Sequence, residues 1–241
     1  MKIIARTDTG LVRENNQDSY TAFELDGAVI AVVCDGMGGA AEGALASNQA
    51  VMAIKEYITE RYYSDMSDIS IKTLLIAAVE SANRFVFNLS RTDEKYFGMG
   101  TTAVVAIVKD NELYITHVGD SRAYKKSGDN LYQLTKDHSI IQRMIENGEI
   151  SAEEALKHPD KHIITRALGV DDVVRVDFCQ ETFFENDVLI LCTDGLINHV
   201  SNEDIVNLTA DDCYHNYADR LVNLANSNGG RDNITVVIVE Y

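Results

Sequence analysis

Proline is almost missing from this chain: Pro159 is the only one in 241 residues. There is also no low-complexity linker and no internal repeat, so nothing marks a domain boundary. A chain of this length can enclose one sizeable core, and a single domain spanning residues 1–241 is expected. Cysteine is sparse, and Cys34, Cys179, Cys192 and Cys213 form no C-x-x-C pair. That excludes a zinc knuckle and a thioredoxin-like motif. Cys34 and Cys192 lie inside apolar runs, as small buried hydrophobes do, and a reducing, cytoplasmic compartment is expected. Long hydrophobic runs are absent. Stretches such as residues 28–34 fall far short of the ~20 residues needed to span a bilayer, so no membrane association is expected. The opening Met1-Lys2-Ile3-Ile4-Ala5-Arg6 meets charge before an apolar segment can form, so no secretory signal is expected. Positive charge is also scarce: Lys plus Arg is 21 against 38 Asp plus Glu, a net charge of −17. Such a surface repels nucleic acid and anionic lipid; its acidity otherwise serves solubility.

Hydrophobic residues make up 46% of the chain, enough for a globular protein. Strand patterns cover residues 2–7, 19–23 and 28–34, the last a continuous apolar run closed by Asp35-Gly36, as expected of a strand covered on both faces. Helical patterns follow over 41–62 and from Ser70, a candidate N-cap, with Ile71, Leu74, Leu75, Ala78, Val79 and Ala82 on one stripe. Further strands are predicted over 101–109, 112–118, 121–125, 131–134, 173–178, 187–193 and 233–240, with a helix over 211–226. Residues 137–168 hold short helical patterns and the lone proline, and read as an insert between strands. The pattern predicts an α+β fold of two antiparallel sheets with helices outside.

Four aspartates share one placement. Asp35, Asp120 and Asp194 each follow a strand pattern, Asp232 stands just before one, and each has glycine close by. Any one Asp-Gly could be a plain hairpin turn. If all four strand ends meet, however, like charges ~4 Å apart repel by about 4 kcal/mol per pair at an effective dielectric of ~20. A cation between them relieves this, and an oxygen-only, carboxylate-rich site suits Mg²⁺ or Mn²⁺ better than zinc. Gly36-Met37-Gly38-Gly39-Ala40-Ala41 offers a rival reading, since G-x-G-x-x-A after a strand is a dinucleotide-binding pattern. Against it, Asp35 would face the pyrophosphate, and Glu56 and Glu60 fall inside a helix instead of ending a second strand.

With Thr7-Asp8-Thr9-Gly10 through Arg13-Glu14-Asn15-Asn16-Gln17-Asp18, Asp35-Gly36-Met37-Gly38-Gly39, Gly100-Thr101-Thr102, His117-Val118-Gly119-Asp120-Ser121-Arg122, Asp137-His138-Ser139, Thr165-Arg166-Ala167-Leu168-Gly169, Thr193-Asp194-Gly195 and Gly229-Gly230-Arg231-Asp232-Asn233 in this order, nearly the whole chain resembles the PPM family of PP2C-like protein phosphatases, bacterial type. The resemblance implies an antiparallel β-sandwich flanked on both sides by helices, with a flap at 137–168. It implies hydrolysis of phosphoserine and phosphothreonine in proteins with two Mn²⁺ or Mg²⁺ ions and a weaker third. Asp35 would bridge the pair, the Gly36 carbonyl would complete the first metal, and Asp194 and Asp232 would hold the second. Asp120 with Asp194 would hold the third, Asp18 would act through water beside Gln17, and Arg13 would grip the phosphate. Animal relatives carry histidine two residues after the bridging aspartate, proposed as the general acid. Met37 stands here, as is common in bacterial members, so a water is expected to protonate the leaving group; packing is the plainer role for Met37. Phosphomonoester hydrolysis is among the slowest uncatalysed reactions. Two ions ~3.5–4 Å apart suit it, through an attacking water that bridges them. The implied partners are phosphoproteins, including a Ser/Thr kinase and its substrates, and a monomer is expected. A catalytically silent binding module is the competing class, disfavoured because every expected metal aspartate is present.

Overall fold

Apolar runs in this chain are continuous because most strands are covered twice. In the strand Ala28–Met37, Ile30, Val32 and Cys34 join one buried cluster with the long helices, whereas Val29, Ala31 and Val33 join another between two sheets. This is the period-2 alternation of a strand with both faces apolar. The same split separates Ile234, Val236 and Ile238 from Val237 and Val239 in the last strand. The computed structural model describes residues 1–155, 158–210 and 213–241.

The chain begins with β1 (Lys2–Asp8), β2 (Asp18–Leu25) and β3 (Ala28–Met37), followed by α1 (Ala40–Arg61) and α2 (Asp68–Ser90). Then come β4 (Gly100–Thr101), β5 (Ala103–Lys109), β6 (Glu112–Val118), β7 (Arg122–Ser127) and β8 (Asn130–Gln133). After α3 (Ile140–Glu146) and α4 (Ala152–Ala155) run β9 (Asp177–Thr182), β10 (Val188–Cys192), α5 (Asp194–Ile197), α6 (Asn202–Leu208), α7 (Tyr217–Ser227) and β11 (Ile234–Glu240). One sheet has the order β1-β11-β10-β7-β8, the other β2-β3-β5-β6-β9 with β4 on β3. The pairings of named strands are antiparallel. Three buried clusters thus stack in layers: α1 and α2 on the second sheet, the sheets on each other, and α5–α7 on the first. The expected helix-flanked sandwich is present. A dinucleotide site built on parallel strands is not, because β3 lies antiparallel to both β2 and β5.

Three boundaries differ from expectation. The second helix starts earlier: its cap is Ser67, whose side chain accepts from the Ser70 amide. The strand expected at 173–178 runs instead over Asp177–Thr182, where pairing with β6 decides the register from Glu112↔Thr182 to His117↔Asp177. In the helix expected over 211–226, Asp211 and Asp212 lie outside the described residues, and α7 begins at Tyr217 after a 3₁₀ turn, Tyr214–Asn216. The segment expected as an insert is pinned at both ends by backbone bridges, Ser139↔Ile164 and Thr101↔Leu168. Its residues 156 and 157 lie outside the described residues. No helix among the described residues is long and apolar enough to cross a membrane.

Candidate active site

One end of the sandwich opens into a cavity of about 580 Å³ lined by Asp35, Asp120, Asp194 and Asp232, together with Arg13, Gln17 and Gly36. Four chain segments deliver the carboxylates. Asp35 belongs to β3, which continues to Met37 instead of ending before it. Its amide donates to Thr102 Oγ1 at 2.9 Å, and its carbonyl accepts from Thr102 N and Thr101 Oγ1, both at 2.8 Å. Asp120 is in the turn after β6, next to Gly119, which has φ +107°. Asp194 is the first residue of α5, and its Oδ2 accepts from Asn198 Nδ2 at 3.1 Å. Asp232 precedes β11, and its Oδ1 accepts from the Asn233 amide.

Asp18 lies opposite Asp35 in the β2–β3 register and is buried. Its Oδ2 accepts from Thr193 Oγ1 at 2.9 Å and Thr235 Oγ1 at 2.7 Å, while its Oδ1 is buried without a hydrogen-bond partner. A buried unpaired carboxylate oxygen is costly. Burial, augmented by Asp194 and Asp232, pushes the Asp18 carboxyl up to about 7. Burial followed by Asp194 and Asp137 does the same to Asp120, also to about 7. Asp35 is held well above the usual carboxylate range by burial and by Asp18, Asp194, Asp120 and Asp232. The predicted carboxylates therefore meet and repel. Oxygen donors gathered at one cavity, with Asp18 and Asp120 buried and one Asp18 oxygen orphaned, are the donor set a hard divalent cation fits.

Gly36 has a second reason to lack a side chain. A Cβ there would fall 2.0 Å from the Gly43 carbonyl oxygen of α1 and 2.6 Å from that of Gln17. Packing of α1 on β3 thus requires glycine whatever its carbonyl binds. Arg13 reaches the cavity from the loop before β2, where its Nη2 donates to Asp232 Oδ2 at 2.9 Å. Asn233 holds that loop in place: its Oδ1 accepts from Gln17 N at 2.8 Å, and its Nδ2 donates to Thr9 O and Asn15 O at 2.9 Å each.

Other residues at the cavity had no predicted role. Lys161 and His162 come from the insert, His199 from the segment after α5 and Arg231 from the segment before β11. His162 Nδ1 is 3.9 Å from Asp194 Oδ2, and that carboxylate raises the His162 pKa. Thr193, Thr235, Thr101 and Thr102 fall within or beside the quoted motifs, but only their hydroxyl geometry shows that they orient aspartates.

His117, His138 and Asp177 form a separate cluster whose nitrogen and oxygen atoms lie within 4.8 Å of one another. The rings stack at 4.6 Å, and the Gly119 amide donates to His138 Nδ1 at 3.0 Å. Arg166 Nη1 is 2.7 Å from Asp177 Oδ1 and 2.9 Å from His138 Nε2. A guanidinium therefore already supplies the positive charge there, and burial lowers His138 to about 4. The cluster ties the insert to the turn bearing Asp120.

A carboxylate cage on a β-sandwich, fringed by basic side chains, defines a metal-assisted hydrolase for an anionic substrate. Comparison with known proteins narrows this. The family described as Protein phosphatase 2C matches residues 12–235. A serine/threonine phosphatase, stp, of Listeria welshimeri is 40% identical over 98% of this chain and 94% of its own length. The S. agalactiae serine/threonine phosphatase structure superposes with a TM-score of 0.93 at 34% identity, covering 99% of this chain and 98% of that one. The catalytic domain of the serine/threonine protein phosphatase PstP, solved with two manganese ions, gives 0.86 at 33% identity, covering 98% and 96%. The chain belongs to the protein phosphatase 2C family and is a serine/threonine phosphatase.

Proposed function

We propose that this chain hydrolyses phosphoserine and phosphothreonine in proteins at the aspartate-lined cavity, with Asp35, Asp194 and Asp232 holding two Mn²⁺ or Mg²⁺ ions. The supporting observation is the convergence of Asp35, Asp120, Asp194 and Asp232 on one cavity with Arg13 at its edge. When bound, the ions lower the pKa of an attacking water and offset charge on the phosphoryl oxygens. Asp35 shares the cavity with Asp120, Asp194 and Asp232 and lies opposite Asp18 in the β2–β3 register. Asp120 with Asp194 is the candidate pair for a weaker third ion, and the Gly36 carbonyl is a further candidate ligand. Asp18, buried beside Asp35 with one oxygen unpaired, acts through ordered water, with Gln17 at the cavity wall. Arg13 offers a planar pair of donors to phosphoryl oxygens, and its contact with Asp232 keeps the guanidinium within reach of them. With Met37 lining the cavity, the leaving group takes its proton from water.

The same reading includes a Ser/Thr kinase and its substrates as counterparts, a cytoplasmic setting and a monomeric state. Phosphate release from a phosphothreonine peptide tests the function. Release is expected with Mn²⁺, absent with EDTA and absent from Asp35→Asn; equal release after thorough chelation contradicts the reading.

A further inference from the structure

The aspartate cavity carries more positive charge than one phosphate uses. Arg13, Lys161 and Arg231 line it beside Asp35, Asp120, Asp194 and Asp232. On the proposed function, two dications offset those four carboxylates. The three cations then stand in excess, and a phosphoryl dianion answers only two of them. This excess sits on a chain of net charge −17, whose acidity repels an anionic partner. Cations gathered where an anionic substrate enters so acidic a protein need a reason.

Most of the basic groups at the cavity are committed within the protein. Arg13 donates to Asp232 at 2.9 Å, and His162 Nδ1 is 3.9 Å from Asp194. His199 Nδ1 donates to Gly195 O at 3.0 Å, and its Nε2 accepts from Arg231 N at 3.4 Å. The Lys161 and Arg231 side chains, in contrast, make no hydrogen bond or ion pair among the described residues; only their backbones do. Those backbones are held. Lys161 stands in a turn of the insert where Ile163 N donates to Asp160 O and Ile140 N to Ile163 O, each at 3.0 Å. Arg231 follows Gly229 and Gly230, whose φ of +129° and +49° suit glycine. Gly230 O accepts from Leu11 N at 2.7 Å, which ties the turn bearing Arg231 to the loop bearing Arg13. Unpaired cationic side chains on fixed backbones are preorganised for an external anion.

We infer that Lys161 and Arg231 bind a second anionic group of the substrate protein, close in sequence to the phosphorylated residue, while the first phosphate lies at the aspartates. The inference rests on the phosphatase reading above and specifies its substrate class. A space of about 580 Å³ is roughly 10 Å across, the span of about three extended residues. The second group therefore lies within that span of the first, and is an acidic side chain or another phosphate. Lys161 is half-buried and Arg231 exposed, so each contact strengthens binding only about threefold, as for ion pairs open to water.

The test uses phosphothreonine peptides with glutamine, glutamate or a non-hydrolysable phosphonate at successive flanking positions. Wild type, Lys161→Gln, Arg231→Gln and the double variant are assayed with Mn²⁺. KM comes from phosphate release, and Kd from fluorescence anisotropy of analogues that carry a phosphonate at the reacting residue too. Each is read as the ratio of the glutamine peptide to the anionic peptide within one variant, so a general loss from a change beside Asp232 cancels. At one flanking position the ratio is expected to be about tenfold in wild type, about threefold in either single variant and lost in the double variant. A preference for glutamate and phosphonate alike assigns an acidic side chain, and a preference for phosphonate alone assigns a second phosphate; either supports the inference. Equal KM and Kd across the wild-type series, with the peptides still cleaved, overturns the inference alone. A wild-type preference that survives in the double variant overturns it as well. No wild-type cleavage of any peptide overturns the phosphatase reading and the inference with it.

Discussion

Threonine hydroxyls, more than the aspartates themselves, fix where the negative charge of this site lies. Thr193 and Thr235 each donate to one oxygen of Asp18, leaving the other buried and unpaired. Thr102 and Thr101 bind the Asp35 backbone on both sides, so the carboxylate cannot retreat. Removing charge at such a site costs function and not fold, the usual trade at a strained centre. Asp35→Asn and Asp232→Asn are expected to lower kcat at least about 1000-fold, comparable to losing a key electrostatic group elsewhere. Their melting temperatures in chelator should be no lower than wild type, because an amide replaces a crowded carboxylate. Calorimetry beside a phosphate-release assay checks both; retained turnover removes that ligand from the scheme. Arg13 is half-exposed and serves binding more than chemistry. Arg13→Ala should raise KM for a phosphopeptide about tenfold, the worth of one charged hydrogen bond, and lower kcat less, as steady-state kinetics will show.

At the level of elements, the carboxylates converge because backbones approach where side chains are missing. A Cβ on Gly195 would stand 1.9 Å from the Asn233 carbonyl oxygen, so α5 can touch the start of β11 only through glycine, and this contact brings Asp194 near Asp232. Gly195→Ala must push main chain apart. A loss of about 3 kcal/mol is expected, equal to a fall of roughly 6–12 °C in melting temperature for a chain of this size, with activity falling further than stability. A melting temperature within 2 °C of wild type would contradict this tight contact. The sandwich was legible in the sequence because doubly covered strands such as β3 and β11 are apolar at nearly every position. The carboxylates were legible as a set because they recur at strand ends. The β9 boundary was not, since Val173 and Val174 carry β-propensity whereas pairing with β6 selects Asp177–Thr182. The roles of Thr193 and Asn233 were hidden for another reason. Hydrogen bonds between residues as distant as Asp18 and Thr235 leave no local pattern.

For the molecule as a whole, the cage is a stability liability that cations convert into an asset. Asp18 and Asp120 titrate near pH 7 in the folded chain because burial, and then their acidic neighbours, disfavour ionisation, against a value near 3.9 when unfolded. Between pH 4 and 7 the folded state therefore holds more protons than the unfolded one. By linkage, its stability falls as pH rises through that window. His138 works in the opposite sense: its folded pKa of about 4 lies below an unfolded value near 6.5, so it adds stability as pH rises from 4 to 6.5. His117 is lowered too, chiefly by burial. Asp18 and Asp120 shift further than His138, Asp35 moves in the same direction as they do, and from pH 6.5 to 7 the carboxylates act almost alone. In EDTA the melting temperature is thus expected to decline from pH 5 to 7.5. On the proposed function, Mn²⁺ binding to the folded, ionised cage is expected to add about 2.7 kcal/mol at one hundred times its dissociation constant. That gain should be larger at pH 7.5 than at pH 5, where protons compete for the same oxygens. Differential scanning fluorimetry across pH, with EDTA or Mn²⁺, reads both slopes. A chelated protein that grows steadily more stable up to pH 7.5, with a Mn²⁺ shift independent of pH, would mean that the aspartates are not crowded as the sandwich places them.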